Sequence, residues 1–375
     1  MRQETRFQFN KYLSRIAELN GIEASDLDKK FTVEPSVTQT LFDKIQQSSS
    51  FLKLINMVTV SELTEEKVGI DVTGSIASTA DTDGGVERKT ADFAKLDAYR
   101  YFCHPVNFDY HLKYNKLDLW ARFQDFQIRI RNAIIKRQAL DYITIGFNGV
   151  SRAATSDRAQ NPLLQDVAVG WVQKYRNDAP ERVMSCITDD DGKVISDTIK
   201  IGSKDKGGHY ANLDAMVMDA FESLVAEIHR ENPEMVVICG RRILTDKYFP
   251  MINKFQANSE QLAGELIISQ KTIGQLQAVR APFFPANSVF ITTLDNISIY
   301  LYEDGHRRHI VENPKLDQVE NYEQVKVDFV IEDYEAGCLI ENIEILEQEE
   351  TATTEPVSAA VFAAEMVKGM QALNG

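Results

Sequence analysis

The chain has 375 residues, 43% hydrophobic and 26% charged, a globular composition that excludes wholesale disorder, collagen-like repeats and small disulfide-stapled scaffolds. With 41 Lys+Arg against 56 Asp+Glu its net charge is −15, which favours solubility and repels nucleic acid and anionic membrane surfaces. No apolar run approaches the ~20 residues of a bilayer span, no secretory leader is recognisable, and Cys103, Cys186, Cys239 and Cys338 lack any CxxC spacing, reading as reduced cytosolic thiols.

Along the chain, Phe9, Tyr12, Leu13, Ile16 and Leu19 share one helical stripe, with Gly21 placed to end the helix. So short an element buries little alone and calls for a partner surface. Residues 31–50 are Thr/Ser/Gln-rich, an extended arm or loosely helical connector, and FLKLINMVTV at 51–60 reads as a strand. In 64–98, Val68, Ile70 and Val72 alternate with small or polar residues before a run almost free of large apolar side chains. That segment fits a long hairpin turned near Asp83-Gly84-Gly85, or equally a disordered surface excursion.

Residues 117–146 carry the strongest helical periodicity, through Leu119, Trp120, Phe123, Phe126, Ile130, Ile134 and Ile135, and Gly146 stands at its end. Uninterrupted by Pro or Gly, they predict about eight turns, a rod of roughly 40 Å. Seven basic residues against Asp118 and Asp125 make 113–137 locally +5. Residues 161–179 read as helical around Leu163, Val167, Val169, Trp171 and Tyr175, and 183–202 as a β-hairpin turned at Asp191-Gly192. A helix is expected over Asn212–His229, a buried strand over 235–240, another helix over Asp246–Gly264, and several strands thereafter to residue 346. Helices and strands alternate without βαβ regularity, so the class is α+β. After Leu346 the text turns acidic and low in complexity, as solvated disorder does.

Chemistry-bearing patterns are few. GSKDKGGHY at 202–210 resembles a phosphate loop, but Gly207 precedes Gly208 and His209 where lysine and a hydroxyl residue are required. Asp189-Asp190-Asp191-Gly192 lacks the alternating ligands and closing glutamate of a calcium loop. None of the six histidines has ligand-spaced partners, and no GxSxG elbow occurs. These residues offer no catalytic, cofactor or metal site. The basic helix leaves a second reading open, a DNA-binding protein acting through 117–146, recognisable by strongly salt-dependent binding.

The wording of the chain is itself informative. MRQETRFQFNKYLSRIAELNGIEASDLDKKFTVEPSVTQTL, VTGSIASTADTDGG, LDLWARFQDFQIRIRNAIIKRQ, NPLLQDVAVGWVQKYRN, DKYFPMIN, HRRHIVENPKLDQVENYE and VIEDYEAGCL closely resemble the major capsid proteins of the P2 family of tailed bacteriophages, collinearly over about 1–345. The resemblance implies a Hong Kong 97-type capsid fold. Residues 1–50 would be the N-terminal arm, 51–63 a peripheral-domain strand and 64–98 the extended loop. The peripheral domain, 99–180, would hold the spine helix 117–146 on a core of Leu119, Trp120, Phe123, Phe126, Ile130 and Ile134. Residues 181–305 would form the axial domain, 306–346 the return to the peripheral domain, and 347–375 an acidic flexible tail. It implies a non-enzymatic shell protein of the virion, assembled in the bacterial cytoplasm into hexamers and pentamers around double-stranded DNA. Its implied partners are further copies, an internal scaffolding protein carrying a protease, and a portal at one vertex, with no membrane. Helix 9–19 is expected to dock to scaffold through its stripe and to be removed by cleavage at Phe31–Thr32.

Overall fold

The computed structural model describes residues 1–72, 94–121, 123, 125–189, 191–252 and 271–346. The proposed turn at Asp83-Gly84-Gly85, the C-terminal part of the Asp246–Gly264 helix and the tail from 347 lie outside them. The chain opens with α1 (Gln3–Leu19), β1 (Phe31–Thr32), α2 (Pro35–Ser48) and β2 (Asn56–Val60). Then follow β3 (Thr64–Val72), β4 (Ala94–Phe102), β5 (His104–Asn107), β6 (Tyr110–Lys113), α3 (Tyr114–Trp120), α4 (Phe126–Asn148) and α5 (Trp171–Asp178). Next are β7 (Val183–Met184), β8 (Ile187–Thr188), β9 (Val194–Ser196), β10 (Ile199–Ile201), α6 (Leu213–Leu224), α7 (Glu227–Arg230), β11 (Val236–Cys239) and α8 (Arg241–Ile252). The last described stretch holds β12 (Thr272–Ile273), β13 (Leu276–Arg280), β14 (Val289–Thr292), β15 (Ile297–Tyr302), β16 (Arg307–Asn313), β17 (Gln318–Ile331), β18 (Gly337–Ile340) and β19 (Ile343–Ile345).

Two mixed sheets organise these elements. One runs β1-β16-β17-β15-β2, with β5 and β6 also on the long strand β17; the other runs β12-β13-β11-β14-β18-β7. Alternation along the second sheet explains how it serves two cores. Val236, Ile238, Phe290 and Leu339 join α4, α5 and the inner face of the first sheet. Val237, Cys239, Val289, Ile291, Cys338 and Ile340 turn the other way, onto Met216, Val217 and Ala220 of α6. Between the sheets α5 inserts Trp171 and Tyr175, both buried, and the Trp171 indole N–H donates to the Ser298 carbonyl at 2.9 Å. Strands β3 and β4 pair antiparallel with each other as a hairpin in a sheet of their own.

Several expectations need correction. The helix over 117–146 is not continuous: α3 ends at Trp120 and α4 starts at Phe126. The cause is phase. Leu117, Ala121 and Ile130 meet in one apolar cluster, yet at about 100° per residue Leu117 and Ile130 would point roughly 140° apart on a straight helix. Gly146 is not a helix end; it lies inside α4, where a Cβ would come within 2.1 Å of the Trp171 ring. Residues 161–170 are irregular and the helix is confined to α5. The 51–60 segment is a strand only from Asn56, after a single turn at Leu52–Leu54. The helix from Asn212, whose side chain caps it by accepting from the Ala215 amide at 2.8 Å, stops at Leu224 and restarts as α7.

Candidate functional site: the arm and its groove

The feature that stands apart from the two-sheet body is α1 in its seat. A helix in a protein owes most of its stability to the packing of its amphipathic face. Here α1 is held because Phe9, Ile16 and Ala17, with Leu27 beyond the helix, are buried in a cluster with Leu117, Ala121, Ile130, Ile310 and Val319. Tyr12, Leu13 and Phe31 pack against the same cluster, partly buried, whereas Leu19 is 46% exposed. The stripe expected to receive a scaffold is thus largely occupied by the chain's own body. In the single subunit the partner surface of the stripe is intramolecular.

Polar contacts fix the register. Both terminal nitrogens of Arg6 donate to the Glu312 carboxylate, at 2.5 and 2.7 Å, and the Tyr114 hydroxyl donates to the same carboxylate at 2.5 Å. Arg6 holds Glu312 below its ordinary acidity range, while burial and the adjacent carboxylate push the Tyr114 phenol up to about 12. Asp118 accepts from the Arg2 amide at 2.9 Å and from Thr5, and is likewise held low. The Ile310 amide donates to the Leu27 carbonyl at 3.0 Å, and the His309 ring nitrogen lies 2.8 Å from the Asp28 carbonyl. Phe31 and Thr32 form β1 on the edge of β16, opposite Arg308 and Arg307, with Thr32 exposed. Immediately behind, the Arg308 guanidinium reaches Asn321 at 2.7 Å and the Tyr12 and Tyr110 hydroxyls at 3.4 Å. Beside it, buried His306 bridges Thr38 and Glu323, each at 3.0 Å. Burial opposes ionisation of Glu323, but His306 and Arg308 outweigh it and keep the carboxylate acidic.

The spine-helix residues are divided. Ile130 is buried, and Trp120 and Ile134 are partly buried against the arm cluster. Leu119 is 59% and Phe123 47% exposed, so they are not core of this subunit; Phe123 instead lies under the Arg129 guanidinium, 4.3 Å from its ring centre. Phe126 opens α4, and its side chain lies outside the described residues. Two basic residues of the helix are neutralised locally, Arg129 by Asp125 and Arg137 by Asp141.

Elsewhere the chemistry is ordinary. A cleft of about 680 Å³ between 105–112, α4 and 152–167 carries mixed charge, with Asp109, Asp141, Arg137, Arg152 and Arg158. The 202–210 segment is a polar loop with Gly207 in the left-handed region, its His209 ring accepting from the Lys200 amide at 3.0 Å. Asp189, Gly192 and Lys193 close the β8–β9 hairpin through backbone hydrogen bonds. Among the described residues no three His, Cys, Asp or Glu side chains are grouped to hold a metal, and no helix is long and apolar enough to cross a membrane. Cys103, Cys239 and Cys338 are buried, which pushes each thiol up to about 12.

The comparisons with known proteins place the chain in a family. The family profile "Phage major capsid protein, P2 family" matches residues 8–343. The chain belongs to that family. It is 63% identical over 345 residues to the capsid protein of Escherichia phage P2, covering 92% of this chain and 96% of that protein. It is 40% identical to the major capsid protein of Serratia phage KSP20, over 93% of this chain and 99% of that protein. Among solved structures, a chain of the satellite phage P4 procapsid, which includes the size determination protein, superposes with a TM-score of 0.75 at 59% identity, over 92% of this chain and 99% of that one. This P2-family chain is a major capsid protein of a tailed phage with the Hong Kong 97-type α+β fold, a structural component of the virion. Neither the DNA-binding reading of 117–146 nor the nucleotide-loop reading of 202–210 gains support.

Arg6, Glu312, Arg308, His306 and Glu323 were not singled out from sequence. Arg6 and Glu312 are separated by almost the whole chain, and no spacing rule connects them.

Proposed function

We propose that this capsid protein self-assembles into hexamers and pentamers of a closed icosahedral shell around packaged double-stranded DNA, in the cytoplasm of the bacterial host. Closed symmetry turns one chain type into a finite container instead of an open fibre. In this reading the sheet built on β17, with α4 and α5, is the peripheral domain and the sheet built on β11 and β14, with α6, the axial domain, which moves β15 out of the expected axial range 181–305 and β18 out of the expected return 306–346. The β3–β4 hairpin is the extended loop. A two-stranded hairpin is marginal alone, and a neighbouring subunit would supply its missing face.

Assembly proceeds on an internal scaffolding protein that carries the protease, with a portal at one vertex. The outward side of α1, where Phe7 is 58% and Leu19 46% exposed, is the part of the arm left for scaffold. The protease cuts at Phe31–Thr32, which requires β1 to lift from the edge of β16, since proteases take extended, unpaired chain. A size-determining protein such as accompanies the P4 procapsid is a further partner class. The observation that supports this reading most is the 63% identity to the P2 capsid protein across 92% of the chain.

Electron microscopy of the chain co-expressed with its scaffolding protein tests it. Closed shells are expected with or without packaged DNA; soluble, unassembled subunits would refute it.

A further inference from the structure

We propose that residues 1–31, once severed at Phe31–Thr32, remain seated in the groove of their subunit as a bound peptide. The inference rests on the trimming reading above, and it follows from where the bond lies relative to the contacts. The groups by which the arm grips the body lie upstream of the cut, among them Arg2, Arg6, Phe9, Tyr12, Ile16, Ala17 and Leu27. Most of the groups that receive them lie far downstream, on α3, α4, β16 and β17, and the Glu34 amide, just past the cut, donates to the Asn20 side chain at 3.2 Å. Hydrolysis of the Phe31–Thr32 bond therefore deletes no contact between the two.

The new ends are also accommodated. Thr32 stays beside the Val33 amide, which donates to the His306 carbonyl at 2.9 Å and keeps this side of the cut on the sheet edge. The other product, a carboxylate on Phe31, forms opposite Arg308 and next to Arg307 in the β1–β16 register. Adding water to the amide thus places a carboxylate opposite Arg308 and an ammonium on exposed Thr32 opposite Arg307, one favourable and one unfavourable pairing at the sheet edge. Leaving would uncover Leu117, Ile130, Ile310 and Val319, all buried now, and no described segment of the chain stands ready to replace the arm. Inside a shell, one fragment per subunit also maintains a high local concentration that favours rebinding.

The test is intact-mass analysis of purified mature particles, washed and then dissociated in denaturant. Residues 32–375 and residues 1–31 are expected in equal amounts. In particles of the Arg6→Ala/Phe9→Ala variant the fragment should fall about tenfold or more. Where that pair prevents assembly, Arg6→Ala alone, at an exposed ion pair, provides the same comparison with a smaller drop. A mass for 32–375 without the fragment overturns retention while leaving the trimming intact. A fragment equally abundant in the variants is trapped in the lumen, not seated, and overturns it too. A mass for 1–375 alone removes the trimming reading, and retention with it.

Discussion

The two-sheet body and the arm groove are made from similar apolar residues but are closed in opposite ways. In the body, α5 is locked between strands that come from distant parts of the chain: Trp171 packs edge-on against Phe147 and Phe329, and Tyr175 against Phe290. The same helix is pinned by largely buried ion pairs, Lys174 to Asp328 at 2.9 Å and Arg176 to Glu341. Nothing there can leave without opening both sheets. In the groove, one helix at the chain end lies on a small cluster, fastened by a half-exposed Arg6–Glu312 clasp. The difference separates what makes the subunit fold from what is held on it as a separate surface element.

Substitutions should separate the two regions, in order of their effect on the main unfolding transition. Trp171→Ala should cost about 3–5 kcal/mol, because a large fully buried ring leaves a cavity that both sheets border; calorimetry of the subunit would read it. Gly146→Ala should cost about 1–3 kcal/mol, since its methyl would overlap the Trp171 ring. Phe9→Ala should behave differently, moving the main transition by no more than about 0.5 kcal/mol while hydrogen exchange across α1 rises at least about tenfold. A loss of the whole fold in Phe9→Ala would erase the distinction. Glu312→Gln should be milder still, a few tenths of a kcal/mol at an incompletely buried pair, read as faster proteolysis within residues 1–31.

Acid should act on the groove in a predictable direction. Glu312 and Asp118 are both held below their ordinary values by arm residues. Their contribution is complete above the ordinary carboxylate range, near 4 to 4.5, and is lost as pH falls through the lower, docked values. Arm protection should therefore stay flat from pH 8 to 6 and decline only in the acid range below about 4.5, with Glu312→Gln reducing that decline.

Much of the body was legible from sequence because its signals are local. The buried run at 235–240 became the expected strand, the Asp191-Gly192 turn a hairpin confined to β8–β9 because β7 and β10 pair with β18 and β19, and the α6 periodicity a helix that ends at Leu224, capped by Asn212. The break between α3 and α4 was not legible. No Pro or Gly marks it, and its cause is that Leu117 and Ile130 must face the same arm helix, a demand set by residues a hundred positions away. Leu119 and Phe123 were misplaced for the same reason: periodicity identifies an apolar stripe but not the phase at which the helix restarts. The amphipathic stripe of the arm was readable; that its partner surface is the chain's own Ile310 and Val319 was not.

The central claim is that α1 is a separately stabilised element docked on its own subunit. Cryo-electron microscopy of scaffolded, untrimmed particles at side-chain resolution tests it most directly. The account predicts closed shells in which Phe9 and Ile16 lie on Leu117, Ile310 and Val319 of the same chain, with Arg6 on Glu312. Finding α1 on a neighbouring subunit, or undocked in every subunit, would contradict it.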